Sequence, residues 1–279
     1  MNIGLGLPTT MAGVSGDLLI EWARRADAGP FSSLGVLDRI AYQNYEPFTA
    51  LAAASAVTAR VRLATMIVIA PLRNTALLAK QAASVDALSG GRLTLGLAVG
   101  ARGEDYQVAN VDSRGRGRRF SEQLETIRDI WEEGKIGPTP KGPGPHLLVG
   151  GSSGEALARM ARYGDGYMHG GGPPRAFAGA AAKALAAWSD LGRPGRPTLW
   201  GMGYFALGDG TAESGAAYLR HYYAFTGPFA EKIAAGNLTS PGAIVDFIRG
   251  YEDAGCDELM LFPTAPALDQ IDRLAEVIH

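Results

Sequence analysis

The fold is indicated most clearly by residues 86–103, whose sequence is DALSGGRLTLGLAVGARG. The first four residues close an apolar helix that starts near Leu77, and the pair Gly90-Gly91 supplies the left-handed residue that ends it. Residues 93–99 then form an apolar run too short for a helix, which is typical of a strand buried on both faces of a parallel sheet. The loop 100–103 follows at the carboxyl end of that strand, where parallel α/β proteins bind their ligands.

The same unit of helix, turn and buried strand recurs along the chain. Strands are predicted at residues 2–7, 33–37, 61–69, 93–99, 146–149, 165–168, 198–207 and 257–262. Eight buried strands that alternate with helices indicate an α/β protein with a (β/α)₈ TIM barrel, in a single domain over residues 1–279. Residues 211–236, rich in tyrosine and phenylalanine, are predicted as a helical insert between strands seven and eight. An open doubly wound sheet is the alternative, but Gly4 and Gly6 lie inside the first strand rather than after it.

Composition excludes several classes of protein. No apolar run reaches the roughly 18 residues of a membrane helix, and the first residues lack the basic flank of a signal peptide, so we expect a cytoplasmic protein. Cys256 is the single cysteine, and the four histidines are too scattered for a metal site. A net charge of −2 argues against a general nucleic-acid or membrane surface. The proline- and glycine-rich connector 138–145 is not taken as a domain boundary, because the alternation continues beyond it.

Several motifs together resemble those of the bacterial luciferase-like oxidoreductases. They are VRLAT at 61–65, PLR at 71–73, AKQAASVDALSGGR at 79–92, LVGGS at 148–152 and GDGY at 164–167. The resemblance is strong up to about residue 170 and weaker beyond it. It implies a (β/α)₈ barrel that binds FMN or the deazaflavin coenzyme F420, commonly as a homodimer. It also implies either oxidation of a small organic substrate by reduced flavin and oxygen or hydride transfer, with NAD(P)H or a separate flavin reductase as the source of electrons.

The resemblance also implies a set of residues that bind the cofactor. They are Asp38, Thr65, Met66, Ile67, Arg102, Gly150, Gly151, Ser152 and Ser153. Arg102 would bind the cofactor phosphate, and an arginine beside glycines offers a fork of donors suited to that group. Loop 150–153 would complete the cradle, because free N–H groups at a helix start face an anion. The Met66–Ile67 peptide bond would be cis and lie against the flavin ring.

The candidate catalytic residues are Arg39 and His169. Arg39 stands where luciferases have a histidine, and an arginine cannot accept a proton. If Arg39 faces inward, its charge favours an anionic reduced flavin or substrate; the alternative is an exposed ion pair with Asp38. In the first case we expect Arg39→Gln to lower turnover roughly tenfold or more with almost no change in the thermal midpoint. His169, at the end of the sixth strand, is a candidate acid, base or substrate contact.

We therefore expect an FMN-dependent monooxygenase that acts on a small organic substrate. One alternative is a deazaflavin-dependent enzyme of hydride transfer, and another is a flavin-binding protein without turnover, since no base is obvious. The basic run Arg114, Arg116, Arg118 and Arg119 is either a solvated face or a guide for NAD(P)H or the acidic tail of a deazaflavin.

Two further surfaces are predicted. Aromatic residues of the insert are expected to form a lid, and they are Tyr222, Tyr223, Phe225 and Phe229. Small residues of the second and third helices are expected to be exposed and to pack against a second copy of the chain. They are Ala50, Ala52, Ala53, Ala54, Ala56, Ala79, Ala82 and Ala83.

Overall fold

The computed structural model describes residues 1–134, 136–140, 142 and 144–279, so part of the connector 138–145 lies outside the described residues. Its strands are β1 (Asn2–Gly6), β2 (Ser33–Val36), β3 (Arg62–Thr65), β4 (Val68–Ile69), β5 (Leu93–Ala98), β6 (His146–Gly150), β7 (Gly166–Met168), β8 (Thr198–Phe205) and β9 (Glu258–Pro263). They are parallel neighbours in the order β3-β2-β1-β9-β8-β7-β6-β5-β4, and a pairing of β3 with β5 closes the ring. The predicted barrel is therefore confirmed.

Helices surround the ring and cap its carboxyl end. They are α1 (Gly16–Ala28), α2 (Pro47–Ser55), α3 (Thr75–Leu88), α4 (Gly103–Val108), α5 (Arg116–Glu133), α6 (Gly154–Tyr163), α7 (Pro174–Asp190), α8 (Thr211–Tyr222), α9 (Phe229–Ala235), α10 (Pro241–Asp253) and α11 (Asp269–Ile278). Residues 102–116 are polar and contain glycine, which predicts a loop, but helix α4 lies within this stretch. Helices α8 and α9 lie between β8 and β9, ahead of α10. Within the part of the chain that is described, no helix is long and apolar enough to cross a membrane.

The third strand of the barrel is interrupted and forms two segments, β3 and β4. Strand β3 pairs with the start of β5 up to Ala64, and β4 pairs with the end of β5 from Val68 onward. The Thr65 side chain spans the gap, because its hydroxyl donates to Gly96 O and accepts from Gly96 N, both at 2.8 Å. A Cβ on Gly96 would lie 2.2 Å from Thr65 O, so the two strands can approach this closely only at a glycine. Thr65 therefore holds the barrel wall together.

The small residues of α2 and α3 are used inside the molecule. Helix α2 packs on α3, and most of the alanines expected at the surface are buried against their neighbours. Ala79, Ala82 and Ala83 have no exposed surface, whereas Ala53 and Ala56 are exposed. The expectation of an exposed alanine-rich face is therefore wrong for most of its members. The homodimer itself stays a prediction.

The turn between α2 and β3 is fixed by one carboxylate on α1. Asp27 accepts hydrogen bonds from the backbone N–H groups of Ala59, Arg60 and Val61 at 2.9, 2.9 and 2.8 Å. Burial alone would raise the pKa of Asp27, but these three bonds and the Arg60 charge hold it below its usual value of 3.8. The ionised form of Asp27 is thus favoured by folding.

We expect Asp27→Asn to lower the free energy of unfolding by about 1–2 kcal/mol at pH 7, because an amide offers one acceptor oxygen in place of two. Since the pKa of Asp27 is lowered by folding, its contribution is complete above the unfolded value and is lost as the pH falls through the folded one. Urea denaturation of both proteins from pH 7 to pH 3 measures this difference. Asp190→Asn, at an exposed helix end, is the matched control. A difference that did not shrink on acidification would contradict the role of the Asp27 charge.

Candidate active site at the carboxyl ends of the strands

A cavity of about 880 Å³ opens where the strands end. Its lining includes most of the residues expected to bind the cofactor, and also His169. These residues are Asp38, Met66, Ile67, Arg102, Gly150, Gly151, Ser152 and Ser153. The two remaining candidates lie elsewhere, with Thr65 in the barrel wall and Arg39 in the lining of a neighbouring cavity. We call the first space the inner cavity.

One wall of the inner cavity is apolar. The Met66–Ile67 peptide bond is cis, as the resemblance implies, and both side chains line the cavity between β3 and β4. Leu37, Met168 and Met202 extend this apolar surface. A methionine-rich wall adapts to the flat face of an aromatic ring, so this side of the cavity suits a ring system.

The other end of the inner cavity is built to receive an anion. The loop after β6 leads into α6, where Ser153 caps the helix by accepting from Ala156 N. Gly151 has φ of +128°, and a Cβ there would lie 2.7 Å from the Ala156 Cβ, so the turn requires glycine. The start of α5 lines the same end, and Arg159 of α6 donates to Gly117 O at 3.0 Å. The positive ends of two helices thus face one part of the cavity.

Arg102 lies at the same end and is held by aromatic rings. Its guanidinium carbon is 4.5 Å from the centre of the Tyr222 ring and 4.4 Å from that of Phe225, and Nη2 donates to Tyr222 O at 3.2 Å. Its Nε is buried and has no hydrogen-bond partner among the described residues. A buried donor on a cation is costly to leave unpaired, so this atom fits an anionic ligand.

Asp38 is paired with Arg73, which belongs to the PLR motif and for which the sequence predicted no role. Its two oxygens accept from Arg73 Nη1 and Nη2 at 2.6 and 3.0 Å, and Oδ2 also accepts from Ile69 N at 2.8 Å. The Asp38 side chain has no exposed surface. The alternative of an exposed Asp38–Arg39 ion pair is therefore wrong, because each residue is buried with a different partner.

Arg39 is neutralised by α4. Its Nε donates to Asp105 Oδ2 at 3.0 Å, and Nη2 pairs with Glu104. Asp105 has no exposed surface and also accepts from the backbone N–H groups of Ile40 and Ala41. The expectation of an uncompensated Arg39 charge beside the cofactor is therefore wrong, because the buried Asp105 carboxylate balances that charge. Asp105 was not predicted as a partner of Arg39, because residues 102–116 were predicted to form a loop rather than to contain a helix.

His169 offers an unpaired ring nitrogen to the inner cavity. Its Nδ1 is buried and no partner for it occurs in the described part of the chain. Burial lowers the pKa of His169 below its usual value of 6.5, so the ring is neutral near pH 7. The ring packs edge-on against Phe177, with 5.7 Å between centres. His169 is therefore placed to exchange a hydrogen bond with a bound molecule.

The basic run at the start of α5 divides into two pairs. Arg116 and Arg118 line the inner cavity. Arg114 is paired with Asp112 on the surface, and Arg119 donates to the carbonyl of Arg114. One pair therefore adds positive charge beside the anion-binding end, and the other stabilises the turn that leads into α5.

Comparison with known proteins identifies the family. The sequence model described as luciferase-like monooxygenase matches residues 4–246, and the chain belongs to this family. The uncharacterized protein Rv0940c of Mycobacterium tuberculosis is 36% identical over 191 residues, which cover 56% of this chain and 66% of that protein. The pyrimidine monooxygenase RutA of Methylobacterium radiotolerans is 31% identical over 216 residues, which cover 68% of this chain and 54% of that enzyme. These matches leave a third to almost half of each relative's length uncovered.

Solved structures share the whole fold at low sequence identity. Monooxygenase RslO1 from Streptomyces bottropensis has a TM-score of 0.80 and 20% identity, with 100% of this chain and 97% of that chain covered. An F420-dependent secondary alcohol dehydrogenase in complex with an F420-acetone adduct has a TM-score of 0.79 and 19% identity, with 99% and 98% covered. These likenesses concern the barrel alone.

We expect Arg39→Gln to lower the free energy of unfolding by about 3 kcal/mol, because Asp105 then stays buried without its cation. This replaces the expectation of an almost unchanged thermal midpoint. The double variant Arg39→Gln, Asp105→Asn should recover part of the loss, since neither charge is then left alone. Urea denaturation measures all three proteins, with Arg249→Gln on the exposed face of α10 as the control. Wild-type stability in the single variant would exclude a structural role for this pair.

Proposed function

We propose that the chain is a flavin-dependent oxidoreductase of the monooxygenase type, which holds FMN in the inner cavity and oxidises a small organic substrate. The observation that carries this proposal is the buried Nε of Arg102, which has no partner among the described residues, in the same cavity lining as the N-termini of two helices. A phosphate satisfies that donor, and the apolar wall opposite accepts a ring system. A cavity of this volume lies in the usual range for such a ligand.

In this arrangement each part of the cavity has one task. Loop 150–153 and Arg102 bind the phosphate through N–H donors. Met66 and Ile67 support one face of the ring, and Tyr222 with Tyr223 covers the mouth against water. Reduced FMN, when bound, supplies the electrons for the reaction with oxygen. His169 Nδ1 positions a polar edge of the cofactor or the substrate by a hydrogen bond.

The relatives support oxygen chemistry without fixing the substrate. RutA is named a pyrimidine monooxygenase, and RslO1 is named a monooxygenase. A homodimer, a separate flavin reductase and NAD(P)H as the source of electrons remain predictions for this chain.

A deazaflavin cofactor is the second candidate, and one observation favours it. Arg116 and Arg118 line the inner cavity in addition to Arg102 and Arg159, together with the carboxylates of Asp38 and Glu155. A cofactor with further anionic groups beyond its phosphate would use the charge of these arginines. The F420-dependent secondary alcohol dehydrogenase shares the barrel, and it is named a dehydrogenase rather than a monooxygenase.

Removal of the Arg102 guanidinium tests the phosphate assignment. We expect Arg102→Ala to bind FMN about 10- to 150-fold more weakly, because a charge-assisted hydrogen bond contributes about 1.5–3 kcal/mol. Quenching of FMN fluorescence on titration gives the affinity of both proteins. Arg249→Ala, which removes an exposed arginine far from the cavity lining, serves as the control. Equal affinity of wild type and Arg102→Ala would remove this assignment.

The choice of cofactor is tested separately. Titration of the wild type with FMN and with F420 under the same conditions compares their affinities directly. Incorporation of labelled oxygen from ¹⁸O₂ into an organic product, with the reduced form of the preferred cofactor, then separates the two reaction types, since hydride transfer from a deazaflavin incorporates none. We expect tighter binding of FMN and incorporation of the label. Tight FMN binding without labelled product across a panel of small organic substrates would favour a flavin-binding protein without turnover.

A further inference from the structure

A second space, the outer chamber, lies beside the inner cavity and has a volume of about 950 Å³. Tyr222 and Phe225 line both spaces, so one short segment at the end of α8 forms the partition between them. Apart from this partition and the loop after β2, the outer chamber is built from the loops after β1 and β9 and from other residues of α8. None of the cofactor-binding assignments above uses this chamber.

One side of the outer chamber is an aromatic wall. The rings of Tyr42 and Tyr222 meet edge to face, with 5.2 Å between centres and 86° between planes. Tyr218 stacks on Tyr222 at 5.7 Å and 28°. Small and apolar side chains also line the chamber, among them Met11 and Pro266. A lining that combines aromatic and aliphatic groups is favourable for an aromatic molecule.

The polar end of the outer chamber is a hydrogen-bonded pair. The Tyr42 hydroxyl and His221 Nδ1 lie 2.8 Å apart, and both residues line the chamber. Burial raises the pKa of Tyr42, although Arg39 and Arg102 act against it, so the phenol stays protonated. The pair therefore combines an O–H group with an imidazole ring, which together both donate and accept hydrogen bonds.

The charges at the chamber cancel one another. Arg39 lies under the rings of Tyr42 and Tyr222, with its guanidinium carbon 5.0 and 5.5 Å from their centres. Asp105 and Glu104 neutralise the charge of Arg39. The Arg39 side chain is 2% exposed and that of Glu104 is 48% exposed, so an anionic ligand would meet the Glu104 carboxylate. The chamber therefore selects against anionic ligands.

From this geometry we infer that the outer chamber binds a flat aromatic molecule that has no anionic group and carries a hydroxyl or ring N–H group, with Tyr42 and His221 at its polar edge. The inference goes beyond the proposed function, because Tyr222 separates this molecule from the cofactor side and the outer chamber is therefore a second ligand site. Tyr42 and His221 are thus the residues that determine specificity.

Three probes of similar size test the inference by calorimetric titration of the full chain. They are 2-naphthol, its saturated analogue decahydro-2-naphthol, and the anion 2-naphthoate. We expect 2-naphthol to bind about two- to tenfold more tightly than the saturated alcohol, because ring contacts add to the burial of area. We expect no detectable binding of 2-naphthoate. Equal binding of the two alcohols, or preference for the anion, would overturn the proposed chemistry.

Two variants locate the site. Ala12→Phe places a ring in the chamber from an exposed position, and we expect it to abolish 2-naphthol binding while FMN binding is kept. Tyr42→Phe keeps the ring and removes the hydroxyl, and we expect about two- to tenfold weaker binding. Tyr45→Phe is its matched control, because that hydroxyl donates to Val14 O and lies outside the chamber lining. Unchanged binding in Ala12→Phe would place the probe elsewhere and refute the inference.

Competition with FMN separates this inference from the proposed function. We expect saturating FMN to leave 2-naphthol binding unchanged, because the two molecules occupy opposite sides of Tyr222. Displacement of 2-naphthol by FMN would overturn the outer chamber as a separate site while it supports an inner cavity for flavin. Binding of 2-naphthol without any binding of FMN would leave the chamber in place and remove the flavin proposal.

Discussion

The mouth of the barrel depends on the buried ion pair between Asp38 and Arg73. Asp38 follows β2, Arg73 follows the short turn after β4, and both side chains are largely shielded from water. The same carboxylate accepts from Ile69 N, so it holds β4, the second segment of the interrupted third strand, in place. Replacement of one partner leaves an unpaired charge inside the protein, which is far more costly than loss of a surface pair. Met66 and Ile67, which form the apolar wall, come directly before the segment that Asp38 holds through Ile69 and Arg73.

A second constraint divides the mouth into two spaces. Tyr222 lies near Arg102, with 4.5 Å from its ring centre to that guanidinium carbon, and near Arg39, at 5.5 Å. The backbone carbonyl of Tyr222 also accepts from Arg102. Two cations fixed by different parts of the chain thus anchor the end of α8, and the partition between the inner cavity and the outer chamber follows from them.

Much of the fold could be predicted because each unit is specified locally. The helix end at Gly90, the buried run of β5 and the loop that contains Arg102 follow one another within residues 86–103. The serine that caps α6 and the glycine at 151 before it are also local signals, and they predict the turn between β6 and α6. Residues 61–69 were predicted as one strand, so the break into β3 and β4 was missed, and only the family resemblance implied the cis peptide bond between Met66 and Ile67. No feature of residues 61–69 themselves requires it.

The sequence by itself determined the barrel, the edge at which ligands bind and the glycine and arginine loops at that edge, because these follow from periodicity and turn chemistry within short stretches. Only the tertiary structure decided which charges meet. Arg39 is adjacent to Asp38 in sequence, yet it pairs with Asp105, while Asp38 pairs with Arg73. Likewise Tyr42 and His221 are 179 positions apart and share a hydrogen bond at the outer chamber. Partners at such separations are set by the closure of the ring and the packing of α4 and α8 over its mouth, which no local pattern encodes.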